Sequence, residues 1–261
     1  MKGLLAASLT GLALLSASAR AADLPVAPAP AYKAPAVVAP AYNWSGFYLD
    51  AGGGFGMWNA DTQLFNAAGG CVACFVNTFG GRGYIGTVGG GYDYQIGSLG
   101  LGGWNPTVVV GVMGDYNFES LKGTMPGVVS TSAQIKETNA WSAGARIGVA
   151  FGSSFFAYTN GGVTGTRFGG TNFVSDITGA PTGASTAPFT KTGYFLGGGT
   201  ETSLGSILPV GWFLRSEYRY DYFNQISVPV AGTAVPGGLT VGWHPVVQTL
   251  TTSIMYKFNW Q

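Results

Sequence analysis

The sequence predicts an all-β fold, an eight-stranded antiparallel transmembrane up-and-down β-barrel. Three observations carry that prediction. Only 9% of the residues are charged, against about 25% in ordinary soluble domains. Segments of about a dozen residues alternate apolar with small or polar residues, the period of two that marks a strand. The connections between those segments are alternately long and short, as in a membrane barrel with long loops on one side and short turns on the other.

Composition removes the competing classes. The chain has 261 residues, 44 of them glycine, and 14% are aromatic. A disordered chain has few aromatics and high net charge. Collagen needs glycine at every third position, which is not seen. A pI near 7.7 does not fit a basic nucleic-acid binder, so no nucleic-acid partner is expected. Glu and Lys are too sparse for a coiled coil. No run reaches 18 consecutive apolar residues after the N-terminal segment, so a spanning helix is not expected.

Residues 1–21 read as a secretory signal peptide: Met1 and Lys2 lead an apolar run that ends at the small-residue pattern Ala19-Arg20-Ala21. Losing Lys2 and Arg20 leaves ten basic and eleven acidic residues, a mature charge of −1. Residues 22–43 form an Ala/Pro-rich periplasmic leader, with Pro25, Pro28, Pro30, Pro35 and Pro40, a composition that stays extended. Residues 44–261 are the barrel.

Strands are expected at 46–57, 84–96, 106–119, 138–151, 155–165, 191–204, 212–223 and 247–260. In the first, Phe47, Leu49, Ala51, Phe55 and Met57 share a face opposite Tyr48, Asp50 and glycines. In the second, Tyr84, Val88, Tyr92, Tyr94 and Ile96 oppose Asp93. Val108, Val110, Val112, Tyr116 and Phe118 oppose Asp115 and Glu119 in the third, and Trp141, Ile147 and Val149 oppose Arg146 in the fourth. The fifth has no clear phase. In the seventh, Tyr218, Tyr220 and Tyr222 oppose Arg215, Glu217, Arg219 and Asp221. In the last, Ile254, Tyr256, Phe258 and Trp260 oppose Lys257. Long loops are expected at 58–83, 120–137, 166–190 and 224–246, short turns between the others, so both termini lie on the short-turn side.

Eleven charges fall on the minority face: Asp50, Asp93, Asp115, Glu119, Arg146, Glu201, Arg215, Glu217, Arg219, Asp221 and Lys257. A Lys or Arg facing lipid at mid-bilayer costs about 2–4 kcal/mol. Facing inward, the same charges can pair across a lumen that eight strands leave just wide enough to fill with side chains. A plugged or barely permeable interior is expected. Aromatics near the strand ends, including Trp44, Phe47, Tyr48, Trp58, Tyr92, Tyr94, Trp104, Trp141, Tyr218, Tyr256 and Trp260, are read as interfacial girdles.

The opening Asn43-Trp44-Ser45-Gly46-Phe47-Tyr48-Leu49, the segment Arg215-Ser216-Glu217-Tyr218-Arg219-Tyr220 and the ending Tyr256-Lys257-Phe258-Asn259-Trp260 together resemble the small porin-like, OmpA-like eight-stranded outer-membrane barrels of Gram-negative bacteria. The resemblance spans the mature chain. It implies an integral outer-membrane protein with structural, surface-antigen or weak porin-like roles, some relatives being described as binding haemin. It also implies that Tyr256, Phe258 and Trp260 form the signal read by the barrel-insertion machinery.

Sites of chemistry are scarce. Gly81-Arg82-Gly83-Tyr84-Ile85-Gly86 matches G-x-G-x-x-G, but no strand precedes it and no helix follows, as a dinucleotide site requires. Cys71 and Cys74 are read as a local disulfide suited to an oxidising compartment. A redox role would need a thioredoxin-like context, and zinc would need further ligands. His244, placed in the last long loop beside Trp243, is a candidate haem ligand, weighed against a solvated side chain. No nucleophile elbow or strand-borne His–Ser pair is present, so neither catalysis, nor a metal, nor a cofactor is expected. The expected role is structural and surface-exposed, with at most weak permeability to small solutes. The alternative is ligand capture or adhesion, for example of haemin, by the extracellular loops. Expected partners are outer-membrane lipids, the insertion machinery and an unidentified extracellular ligand, with the barrel a monomer.

Overall fold

The computed structural model describes residues 42–66, 68–100, 106–127, 130–232 and 238–258, the side chains of 73–77 and 126 excepted. The expected signal peptide, residues 22–41 of the leader, Trp104, Trp260 and the side chain of Cys74 lie outside the described residues.

The described residues form eleven strands: β1 (Gly46–Asn66), β2 (Cys71–Ser98), β3 (Thr107–Pro126), β4 (Thr131–Phe151), β5 (Phe155–Phe168), β6 (Thr171–Ser175), β7 (Pro181–Thr186), β8 (Phe189–Ser203), β9 (Trp212–Phe223), β10 (Ile226–Ala231) and β11 (Leu239–Phe258). Eight of them, β1-β2-β3-β4-β5-β8-β9-β11, pair in that order. The ring closes where β1 meets β11 antiparallel, from Phe47↔Phe258 to Asn66↔Leu239. Closure leaves no free edge in the ring, which is the condition for a sheet to sit in lipid. The short strands β6, β7 and β10 extend the sheet at the long-hairpin end, linking β4 to β11.

The long connections are hairpins rather than loops. β1 and β2 run 21 and 28 residues, β3 and β4 run 20 and 21. A membrane crossing takes only about 9–11 residues per strand. The expected loop 58–83 is therefore mostly strand, and within 120–137 β3 continues to Pro126 and β4 begins at Thr131. The expected loop 166–190 holds β6 and β7, and 224–246 holds β10 and the start of β11.

These extensions escape a search for apolar-out alternation because the polarity of the two faces swaps partway up each strand. On β1 the outward residues Phe55 and Met57 are apolar, then Asn59 and Asp61 are polar. The inward residues change the other way, from Gly52 and Gly54 to the buried Trp58 and Ala60. On β3 outward Val112, Tyr116 and Phe118 give way to Lys122 and Thr124, while Leu121 and Met125 take the inward positions. Below the swap the strand is dressed for lipid. Above it the strand follows the apolar-in, polar-out rule of a sheet in water. The swap marks the boundary of the apolar belt.

Candidate functional site: the barrel interior

The interior is stacked in three layers. At the end where β1 begins and β11 ends, Trp44 precedes β1 and folds across the opening. Its ring packs on Phe156 at 5.4 Å and Phe213 at 5.3 Å, and its Nε1 donates to the Gly152 carbonyl at 2.9 Å. Tyr48, Val109, Ala150, Tyr158 and Met255 complete this apolar plug. At the long-hairpin end a larger plug gathers Trp58, Leu121, Ile135, Phe168, Phe223 and Trp243. There Trp58 lies 5.5 Å from Trp243 and 5.8 Å from Phe168. Trp44, Tyr48 and Trp58 are thus plugs at 1%, 1% and 2% exposure, not members of a girdle. Proximity to a strand end does not say which face a ring takes. The parity of the strand does, and it turns Tyr48 and Trp58 inward. Phe47, Tyr84, Tyr92, Tyr94, Trp141 and Tyr218 do face outward.

Between the plugs lies a layer of charge. Arg146 on β4 grips Asp93 of β2 with two hydrogen bonds, Nε to Oδ1 at 2.8 Å and Nη2 to Oδ2 at 2.6 Å, and reaches Glu201 of β8 at 2.6 Å. Lys257 of β11 donates to the same Asp93 at 2.7 Å and lies 3.2 Å from Glu201. Arg215 joins Asp50 at 2.8 Å and Glu201 at 3.0 Å. Higher up, Arg219 holds Asp115 with both terminal nitrogens and Glu217 at 2.5 Å. Ser142 donates to Asp115 at 2.7 Å, and Tyr158 and Asn160 both donate to Glu217.

Aromatic faces carry the cations as well: Arg146 sits 4.3 Å from the Tyr48 centroid, Arg219 4.5 Å from Phe195 and Lys257 4.6 Å from Trp44. Glycines make this crowding possible. An ideal Cβ on Gly199 would fall 2.6 Å from the Tyr158 hydroxyl, and one on Gly91 would meet the Tyr48 hydroxyl.

Nine of the eleven inward charges expected from the sequence belong to these ion pairs. Glu119 and Asp221 face inward too, but no basic residue pairs with them among the described residues. They sit with Glu137, which is fully buried and accepts from Thr166. The alternation along the sequence misses Glu137. A β-bulge opposite Phe118/Leu121 inserts a residue between Glu137 and Asn139, so inward positions are even-numbered below it and odd-numbered above. The clue that could reveal it is the run Ala133, Ile135, Glu137, which is in phase with itself but out of phase with Ser142 and Arg146.

The other sequence candidates are dispersed. Cys71 is disulfide-bonded, and Cys74 is the chain's other cysteine. His244 lies on β11, not in a loop, with its ring 5.1 Å from Tyr222 on the outward side. Trp243, one residue away, is buried in the inner plug. Successive strand residues point to opposite faces, so His244 and Trp243 cannot form one haem pocket. Of the terminal aromatics, Tyr256 and Phe258 lie on the outward face of β11, their rings 4.8 Å apart. Within the charge layer lies a small cavity of about 20 Å³, lined by Asp50, Asp115, Arg215, Glu217 and Arg219 among others, room for about one water.

A family model described as "Outer membrane protein beta-barrel domain" matches residues 7–258. No curated protein matches the chain. Among solved structures, Neisserial surface protein A is 16% identical with a TM-score of 0.39, the alignment covering 82% of this chain and 98% of that one. OprG from Pseudomonas aeruginosa is 11% identical with a TM-score of 0.47, covering 84% and 99%. The outer membrane protease OmpT from Escherichia coli is 7% identical with a TM-score of 0.41, covering 85% and 99%. With nearly the whole sequence matched, the chain belongs to the outer-membrane protein β-barrel domain family, and its place is the outer membrane.

Proposed function

We propose that the protein is a closed structural barrel that holds its hairpins at the cell surface and passes no bulk water. The observation that carries this reading is the stacking of the interior among the described residues: an aromatic plug, a layer of paired charges around a cavity of about 20 Å³, and a second plug. An ion crossing it would have to shed its water and displace buried salt bridges, and the cost of desolvating a charge in such surroundings is several kcal/mol. The ion pairs then act as cross-braces tying β1, β2, β3, β4, β8, β9 and β11, rather than as a selectivity filter. The outward aromatics Tyr256 and Phe258 serve as the described part of the insertion signal. A monomer suffices, since no wide pore needs support from neighbours.

Planar-bilayer recording of the folded protein, beside a lipid-only control, tests the reading. Silence is expected. Steady unitary openings of fixed size would overturn it and make the charge layer the lining of a water path.

A further inference from the structure

The outward face of the barrel carries its own charges, and among the described residues its Lys and Arg are all on one side. Arg82 of β2, Lys122 of β3, Lys136 of β4 and Arg167 of β5 occupy outward positions on four successive strands. Arg82 stands directly opposite Lys122, and Lys122 directly opposite Lys136. The backbone N–H of Gly169 donates to the Lys136 carbonyl, which puts Arg167 two residues from the same row. Among the described residues none of the four is paired with a carboxylate. Asp61, an outward acid on β1, lies four residues beyond Met57, the partner of Arg82, and accepts from Thr78. Lys191 of β8 takes an inward position and donates to the Gln225 carbonyl. No Lys or Arg occupies an outward position on β1, β8, β9 or β11 among the described residues.

Two like-charged pairs placed directly opposite each other weaken a sheet. The arrangement becomes favourable once an anion lies across the row. Its depth specifies the anion. The row sits where the outward face changes from apolar to polar, just beyond Tyr84 on β2, Phe118 on β3 and Val163 on β5. That is the level of lipid headgroups at the hairpin side of the membrane. Arg82 also lines an outward groove of about 590 Å³ whose other walls include Phe55, Met57, Tyr84, Tyr218 and Leu250. A cation at the rim of an apolar groove suits a molecule with an anionic head and a hydrocarbon tail. Arginine forks grip phosphate with two hydrogen bonds, and lysines add point charge.

We propose that Arg82, Lys122, Lys136 and Arg167 form a binding site for the phosphate groups of an anionic lipid of the outer leaflet, with an acyl chain lying in the groove beside Arg82. The site fixes the lipid on one side of the barrel and cancels the repulsion within the row.

The test compares bis-phosphorylated lipid A with its dephosphorylated form, bearing the same acyl chains. Both are titrated onto the full folded protein in neutral detergent and read by native mass spectrometry. The phosphorylated lipid is expected to bind more tightly, and each cation changed to Gln should weaken it about fivefold. The combined variant Arg82→Gln, Lys122→Gln, Lys136→Gln, Arg167→Gln should lose the preference while keeping the fast mobility of a folded barrel on unboiled gels. Lys122→Gln alone, at the centre of the row, gives the same reading if the combined variant does not fold. Inorganic phosphate at matched concentration should leave the lipid bound. Equal binding of the two lipids, unchanged binding by the variants, or displacement by inorganic phosphate alone would each overturn the proposal.

Discussion

Arg146→Gln should lower the unfolding free energy of the barrel by about 3–5 kcal/mol, because it leaves carboxylates in the interior without the cation that holds them. Both Arg146 and Asp93 have side chains fully shielded from solvent, and so has Glu201. Arg146 supplies three of the hydrogen bonds these two acids receive. Glutamine is two bonds shorter and lacks the planar fork, so the two-point grip on Asp93 cannot be rebuilt. Lys257 still serves Asp93, and Arg215 still serves Glu201, which keeps the loss from being larger. Adding Asp93→Asn to Arg146→Gln should recover part of the stability, since the second change removes the acid left in excess over Lys257 and Arg215. Urea unfolding of protein refolded into vesicles, followed by tryptophan fluorescence, measures both variants. A loss of under about 1 kcal/mol, the size of an exposed pair, would mean that water reaches this layer and that the interior is not closed.

How much of this interior can be read from the sequence depends on how regular each strand is. β9 has no bulge, and its four charges Arg215, Glu217, Arg219 and Asp221 occupy every second position. Alternation alone therefore sets them on one face. The same logic fails at Glu137, because the bulge between β4 and its neighbours changes the parity there. It fails again at the hairpins, where the outside turns polar and the inside apolar within a single strand. A scan for apolar-out alternation stops at Met57 and reads the rest of β1 as loop, although the strand continues to Asn66. Pairing partners are a third limit. Nothing local in the sequence links Asp50 to Arg215 or Asp93 to Lys257, since ring closure brings them together from opposite ends of the chain. The plugs are a matter of parity too. Tyr48 and Trp58 are even-numbered in a strand whose even positions face in, and that periodicity outranks their closeness to a strand end.

Trp58→Ala should cost about 3–5 kcal/mol, the range for truncating a buried tryptophan, and yet leave the barrel electrically silent. Trp58 has 2% exposure and touches Trp243 and Phe168 in the hairpin-side plug, with its Nε1 donating to the Leu121 carbonyl at 3.3 Å. Its removal opens a cavity in that plug only. The charge layer below and the Trp44 plug beyond it are untouched, and seals in series block current as long as any one of them holds. The matching change at the other end, Trp44→Ala, should likewise destabilise without conducting, for the same reason. Stability and conductance thus separate: each truncation moves the urea midpoint, and neither produces openings in a planar bilayer. If Trp58→Ala alone conducted, the hairpin plug would be the single gate. The ion pairs of Arg146, Arg215 and Arg219 would then have to be a hydrated lining, weak enough for ions to pass, and the three-layer reading of the interior would fail.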